Sequence, residues 1–143
     1  MECLEASEWI AIAALVVSIA AAYFAKSARD DAEKANDINL HTHQKAIYDA
    51  FFELKMHMTI KSEFAELREV SKFYYPALNS KFYFSQEITE QFQKFFNLCF
   101  EVADLARVQR TPTELSEANG KVDCAMNIAK QLESKIIEKI TLA

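Results

Sequence analysis

A chain of 143 residues with one glycine and two prolines has room for one modest core and little material for tight hairpins or glycine-rich ligand loops, so helix is the expected class. The net charge of -5, with Lys and Arg dispersed rather than gathered, argues against a phosphate-backbone binder, and no nucleic-acid partner is expected. Cys3, Cys99 and Cys124 are an odd number with no CxxC spacing, which argues against a disulfide framework and a thiolate zinc knuckle.

The first predicted element is an apolar run, Trp9 to Ala25, broken only by Ser18. As a helix it rises about 26 Å against a hydrocarbon core of about 30 Å, the lower bound for spanning a bilayer. Trp9, Tyr23 and Phe24 stand where interfacial aromatic anchors belong. Lys26, Arg29 and Lys34 follow the run and no basic residue precedes it, which predicts a single-pass protein with its N-terminus out and its C-terminal domain cytoplasmic. The acidic start and bulky close do not match a cleavable secretory signal, so a retained anchor is expected. The competing readings are a buried core helix, since Ala contributes little transfer energy, and a helix lying in the membrane interface.

Ala11, Ala14, Ser18, Ala21, Ala25, Ala28, Ala32 and Ala35 are spaced alternately by three and four. On a helix this heptad repeat draws one stripe, and side chains so small let a partner backbone approach closely. The stripe is the expected self-association surface of a homo-oligomer, with high Ala content from helix propensity as the plainer explanation. Lys26 to Leu40 is predicted to continue as helix, with Asn36 or Asp37 able to cap a new one.

From His43 the apolar positions Ile47, Phe51, Leu54, Met58, Ala65 and Val70 or Phe73 keep a helical period that loosens near Thr59 to Ser62. Pro76 is expected to limit this helix at Tyr75. Phe73 to Phe84, FYYPALNSKFYF, has no clear period and is half aromatic. It reads either as a loop capping the core or as an exposed patch in which Tyr74, Tyr75, Phe82, Tyr83 and Phe84 grip a protein partner.

Ser85 is expected to cap a helix running from Gln86 to about Gln109, with Ile88, Phe92, Phe95, Cys99, Val102 and Ala106 inside. Thr111-Pro112-Thr113-Glu114 is a capping box with Pro at the first helical position, which predicts a turn at Arg110 to Thr111 and a helix to about Ile140. Leu115, Ala118, Val122, Ala125, Met126, Ala129, Leu132, Ile136 and Ile140 share its inner face. The period passes through Gly120, where a close helix crossing is the expected reason for glycine. Antiparallel pairing with residue numbers summing to about 223 would put Cys99 level with Cys124, a pair whose redox state would report the compartment.

His41, His43 and His57 have poor ligand geometry, and neither HExxH nor a di-iron ExxH set occurs. Glu53, Glu63, Glu66 and Glu69 follow no active-site motif. No cofactor, metal or catalytic site is expected, and the chain is expected not to be an enzyme.

The predicted fold is all-α: a transmembrane helix (1–25) continuing into a juxtamembrane helix (26–42), followed by an antiparallel three-helix or four-helix bundle (43–143). The layout of residues 9 to 40 resembles small bacterial membrane-anchored proteins with a charged, Ala-rich juxtamembrane helix and a helical cytoplasmic body. The expected function is a non-enzymatic module that contacts the lipid bilayer, self-associates along the seam and presents its bundle to a protein partner. The alternatives are a membrane-active pore, lysis or immunity component, and a soluble all-helical binding protein or enzyme.

Overall fold

The computed structural model describes the backbone of residues 2–106 and 111–141, and the side chains within 7–106 and 111–138. All regular structure among them is helical, as composition predicts. The chain divides into two units, Met1–Asn39 and Leu40–Ala143.

The first helix, α1, runs unbroken from Glu2 to Lys61. No new helix is capped at Asn36 or Asp37. The weak formers there each cost at most about 0.7 kcal/mol relative to Ala, and neither Pro nor Gly interrupts the backbone. In the first unit every described side chain, from Ser7 to Asn39, is exposed. Within its own unit the apolar run is covered by none of the described side chains.

In the second unit α1 acquires a face. Gln44, Ile47, Phe51, Leu54 and Met58 are buried at alternating spacings of three and four. The helix stops at Ser62, whose φ of 49° lies in the left-handed region that ends helices, here reached by a residue with a β-carbon. A 3-10 turn (Ser62–Phe64) and two extended residues, Ala65 and Glu66, lead into α2 (Leu67–Ser71). The loosened period near Thr59 to Ser62 thus marks a real break.

Next comes α3, Tyr74–Asn79, and a 3-10 turn, Ser80–Phe82. Pro76 does not end a helix at Tyr75 as expected. It sits in the first turn of α3, where backbone N–H groups have no intrahelical partner and proline's missing one costs nothing.

The two long helices that follow are α4, Gln86–Leu105, and α5, Pro112–Thr141. Ser85 occupies the N-cap of α4 with extended backbone angles, but its hydroxyl makes no cap bond. The end of α4 expected near Gln109, and Arg110 of the predicted turn, lie outside the described residues. At α5 the capping box is complete: the Thr111 N–H donates to Glu114 Oε2 at 2.7 Å, and the Glu114 N–H donates to Thr111 Oγ1 at 3.3 Å.

Cross-helix ion pairs show that α4 and α5 are antiparallel. Lys121 meets Glu101 at 2.6 Å and Lys135 meets Glu87, so partner numbers sum to 222, one from the expected register. Cys99 is fully buried whereas Cys124 is exposed. Level along the pair, they point different ways, so they form no facing pair to report the compartment. The expected crossing at Gly120 is also absent: a β-carbon there would meet nothing within 4 Å.

The core is aromatic. Phe51 lies 5.5 Å from Phe92 and 5.2 Å from Phe95, both edge-on, and 6.2 Å from Phe73. Phe73 packs edge-on against the same two rings. Offset and edge-to-face contacts of this kind add about 0.5–1.5 kcal/mol per pair beyond burial. Ala118, Val122, Ala125, Ala129, Leu132 and Ile136 supply the α5 side, and the side chain of Ile140 is outside the described set.

Candidate functional site

Among the described residues, exposed apolar groups occur in both units, and the sequence-predicted contact residues fall on one surface in each. In the first unit, Ala11, Ala14, Ser18, Ala21, Ala25, Ala28, Ala32 and Ala35 are all exposed along one regular helix. On a straight helix a heptad stripe drifts by about 20° per repeat, so a partner would follow it with a left-handed supercoil. Trp9 is 72% exposed, and the most apolar window of the helix buries none of its residues. By length and composition this stretch is able to cross a membrane.

Ser18, the only polar residue inside the run, donates its hydroxyl to the Ala14 carbonyl at 2.8 Å. That bond satisfies the hydroxyl within its own helix, as an apolar surrounding requires. The Ser18 hydroxyl is thereby not left as a free donor to line a water-filled path. Beyond the run, Arg29 and Glu33 form an exposed i, i+4 pair at 3.4 Å, worth a few tenths of a kcal/mol at most.

In the second unit the aromatic stretch divides by residue. Phe73 and Phe84 are buried, and Phe84 packs edge-on against Phe92 at 5.6 Å, so it is a core residue and not part of a contact surface. Tyr83 is half-buried. Its ring stacks on His43 at 4.7 Å, and its carbonyl accepts a 2.8 Å hydrogen bond from Gln44 Nε2. These two α1 side chains clip the turn before α4 onto the bundle. Gln44 continues the buried spacing of Ile47 and Phe51 one turn back, which is the sequence signal by which it was findable.

Tyr75 and Phe82 are 69% and 68% exposed, and Tyr74 is partly covered by Phe96, 5.7 Å away. The α3 helix carrying the tyrosines stands between two open grooves. One, of about 390 Å³, is lined by His43, Ala46, Ile47, Tyr75, Pro76, Asn79 and Tyr83. The other, of about 210 Å³, is lined by Tyr74, Ala77, Leu78, Gln93, Phe96 and Asn97. Sequence reading had no access to either groove, because each joins residues from different helices.

A set of titratable side chains surrounds a recess of about 40 Å³ between α1, α2 and Lys72, lined by Glu53, His57, Glu69 and Lys72 among others. Three of these, His57, Glu69 and Lys72, are engaged in local structure. His57 Nε2 accepts the backbone N–H of Glu66 at 3.0 Å, holding the extended step before α2. Lys72 donates to Glu69 Oε2 at 2.5 Å, and that hydrogen bond draws the Glu69 carboxyl below the ordinary carboxylate value. Among the described residues no three His, Cys, Asp or Glu side chains converge as metal ligands. The buried thiol of Cys99 is pushed well above its ordinary value by desolvation, which makes it an inert core group rather than a nucleophile.

No protein-family model, curated protein or solved structure matches the chain.

Proposed function

We propose that the chain is a non-enzymatic, single-pass membrane module that pairs with copies of itself through the small-residue seam and presents its helical bundle to a protein partner. The observation that carries this reading is the contrast between the two units. Leu40–Ala143 buries its own phenylalanine core, whereas the apolar helix at residues 9–25 buries nothing and satisfies its one internal hydroxyl by itself. An exposed apolar helix of that size is stable in lipid and a liability in water. Lys26, Arg29 and Lys34 favour a cytoplasmic bundle with the N-terminus across the bilayer. For the seam, the support is that its eight members share a stripe and that none of them packs within the chain.

Carbonate extraction of full-length chain tests the anchor, with retention in the membrane pellet expected and release as a soluble monomer overturning it. Pairing is tested in a Cys3→Ser, Cys124→Ser background. Oxidation should cross-link Ala28→Cys and Ala32→Cys into dimers and leave Asp30→Cys, on the opposite face, monomeric. Equal cross-linking at all three, or none at any, removes the seam.

A further inference from the structure

We infer that α3 and its two flanking grooves dock an acidic, apolar-faced peptide segment of another protein, with apolar side chains entering the grooves and a carboxylate meeting Lys81. The inference rests on the reading that the bundle is presented to a protein partner, and it supplies that partner's chemistry.

Charge complementarity carries the choice. The chain holds 21 Asp and Glu, yet none falls between residues 70 and 86, where Lys72 and Lys81 are the only charged residues. Lys72 is held by Glu69. The Lys81 ammonium instead lies over the Phe82 ring, 4.9 Å from its centre, beside exposed aromatic surface. An exposed cation resting on an aromatic ring pairs best with a carboxylate that arrives together with apolar groups.

Neither groove has a carboxylate in its lining. The polar groups there are the amides of Asn79, Gln93 and Asn97, the His43 imidazole and the tyrosine hydroxyls, all able to bond a peptide backbone. Tyr75 and Phe82 are the residue types that anchor interfaces, large in area and ordered at low entropic cost. Two concave grooves astride a helix fit a partner with projecting side chains better than the flat surface of a bilayer.

The test uses full-length chain in zwitterionic nanodiscs and a fluorescent model peptide with Leu and Phe on one helical face and Glu on the other. Saturable binding is expected, weaker by about tenfold or more for the same peptide with Lys in place of Glu. Tyr75→Ser and Phe82→Ser should each weaken the acidic peptide by about tenfold, and Lys81→Glu should reverse the preference between the two peptides. These positions are exposed, so folding is preserved, and gain of the basic peptide by Lys81→Glu is a signal that unfolding does not produce.

Absence of saturable binding, equal affinity for both peptides, or indifference to the substitutions overturns the inference. So does a photoreactive phenylalanine analogue at position 82 that labels lipid and leaves the peptide unlabelled, an outcome that assigns the surface to the bilayer. Ala28→Leu, which obstructs the seam, should leave peptide affinity unchanged. Failure of docking and failure of membrane pairing are thereby read separately.

Discussion

Replacing Gly120 with Ala should stabilise the bundle by about 0.8–1.0 kcal/mol, the difference in helix propensity between the two residues. The full amount applies because nothing in the surroundings offsets it. Gly120 is exposed in the interior of α5, and a β-carbon built there meets no heavy atom within 4 Å. The contacts of α5 with the core pass through Ala118 and Val122 on either side, and they are left intact. For a unit of this size, Leu40–Ala143, the gain corresponds to a rise in Tm of roughly 4 °C. Full-length chain in detergent, melted while near-ultraviolet circular dichroism follows the aromatic core, isolates this transition from the helix of the first unit, which has no core to lose. Urea midpoints at an unchanged slope provide a second reading. A Tm equal to or below that of the parent refutes the reasoning, because only a neighbour pressed against Gly120 would cancel the propensity gain.

The phenylalanine cluster sets a larger expectation. Phe51→Ala, removing a fully buried ring flanked by Phe73, Phe92 and Phe95, should cost about 3–5 kcal/mol, whereas Phe82→Ala at the surface should stay within about 0.5 kcal/mol; similar losses at both would misplace the core. Thr111→Ala should cost about 1 kcal/mol by removing the hydroxyl that accepts the Glu114 N–H, and Glu114→Ala in the same background should cost about 0.5 kcal/mol more by freeing the backbone N–H of residue 111; no loss at either step in urea titrations would deny the cap. Stability should fall as pH rises from about 8 to 10. Burial raises the Cys99 thiol, burial and then Glu133 raise Tyr48, and the hydrogen bonds that Lys121 donates to Glu101 and Glu117 raise Lys121, so the folded chain keeps protons that the unfolded chain releases. Urea midpoints across that range should decline, and less steeply in Cys99→Ala; a flat or rising profile contradicts the assignment.

The sequence by itself determined whatever depends on neighbours along the chain. Period and composition placed the apolar run, the inner faces of α4 and α5, and the buried positions Ile47, Phe51, Leu54 and Met58. A four-residue cap marked the start of α5, because its partners are three residues apart. The cross-helix register followed to within one residue from the shortness of a turn.

Tertiary structure alone decided what depends on residues distant in sequence. Phe84 and Phe82 belong to the same aromatic stretch, yet one packs on Phe92 and the other faces solvent, since the turn at Ser80–Phe82 rotates them apart. Cys99 and Cys124 share a level but not a direction, which a register along the axis does not specify. Gly120 lacks the crossing that its residue type suggests, and the grooves beside α3 exist only where α1, α3 and α4 come together. Local sequence encodes the conformation of each segment through short-range bonds and side-chain spacing. Which face of a segment meets which neighbour is settled by the joint packing of the phenylalanine core, a property of the whole second unit.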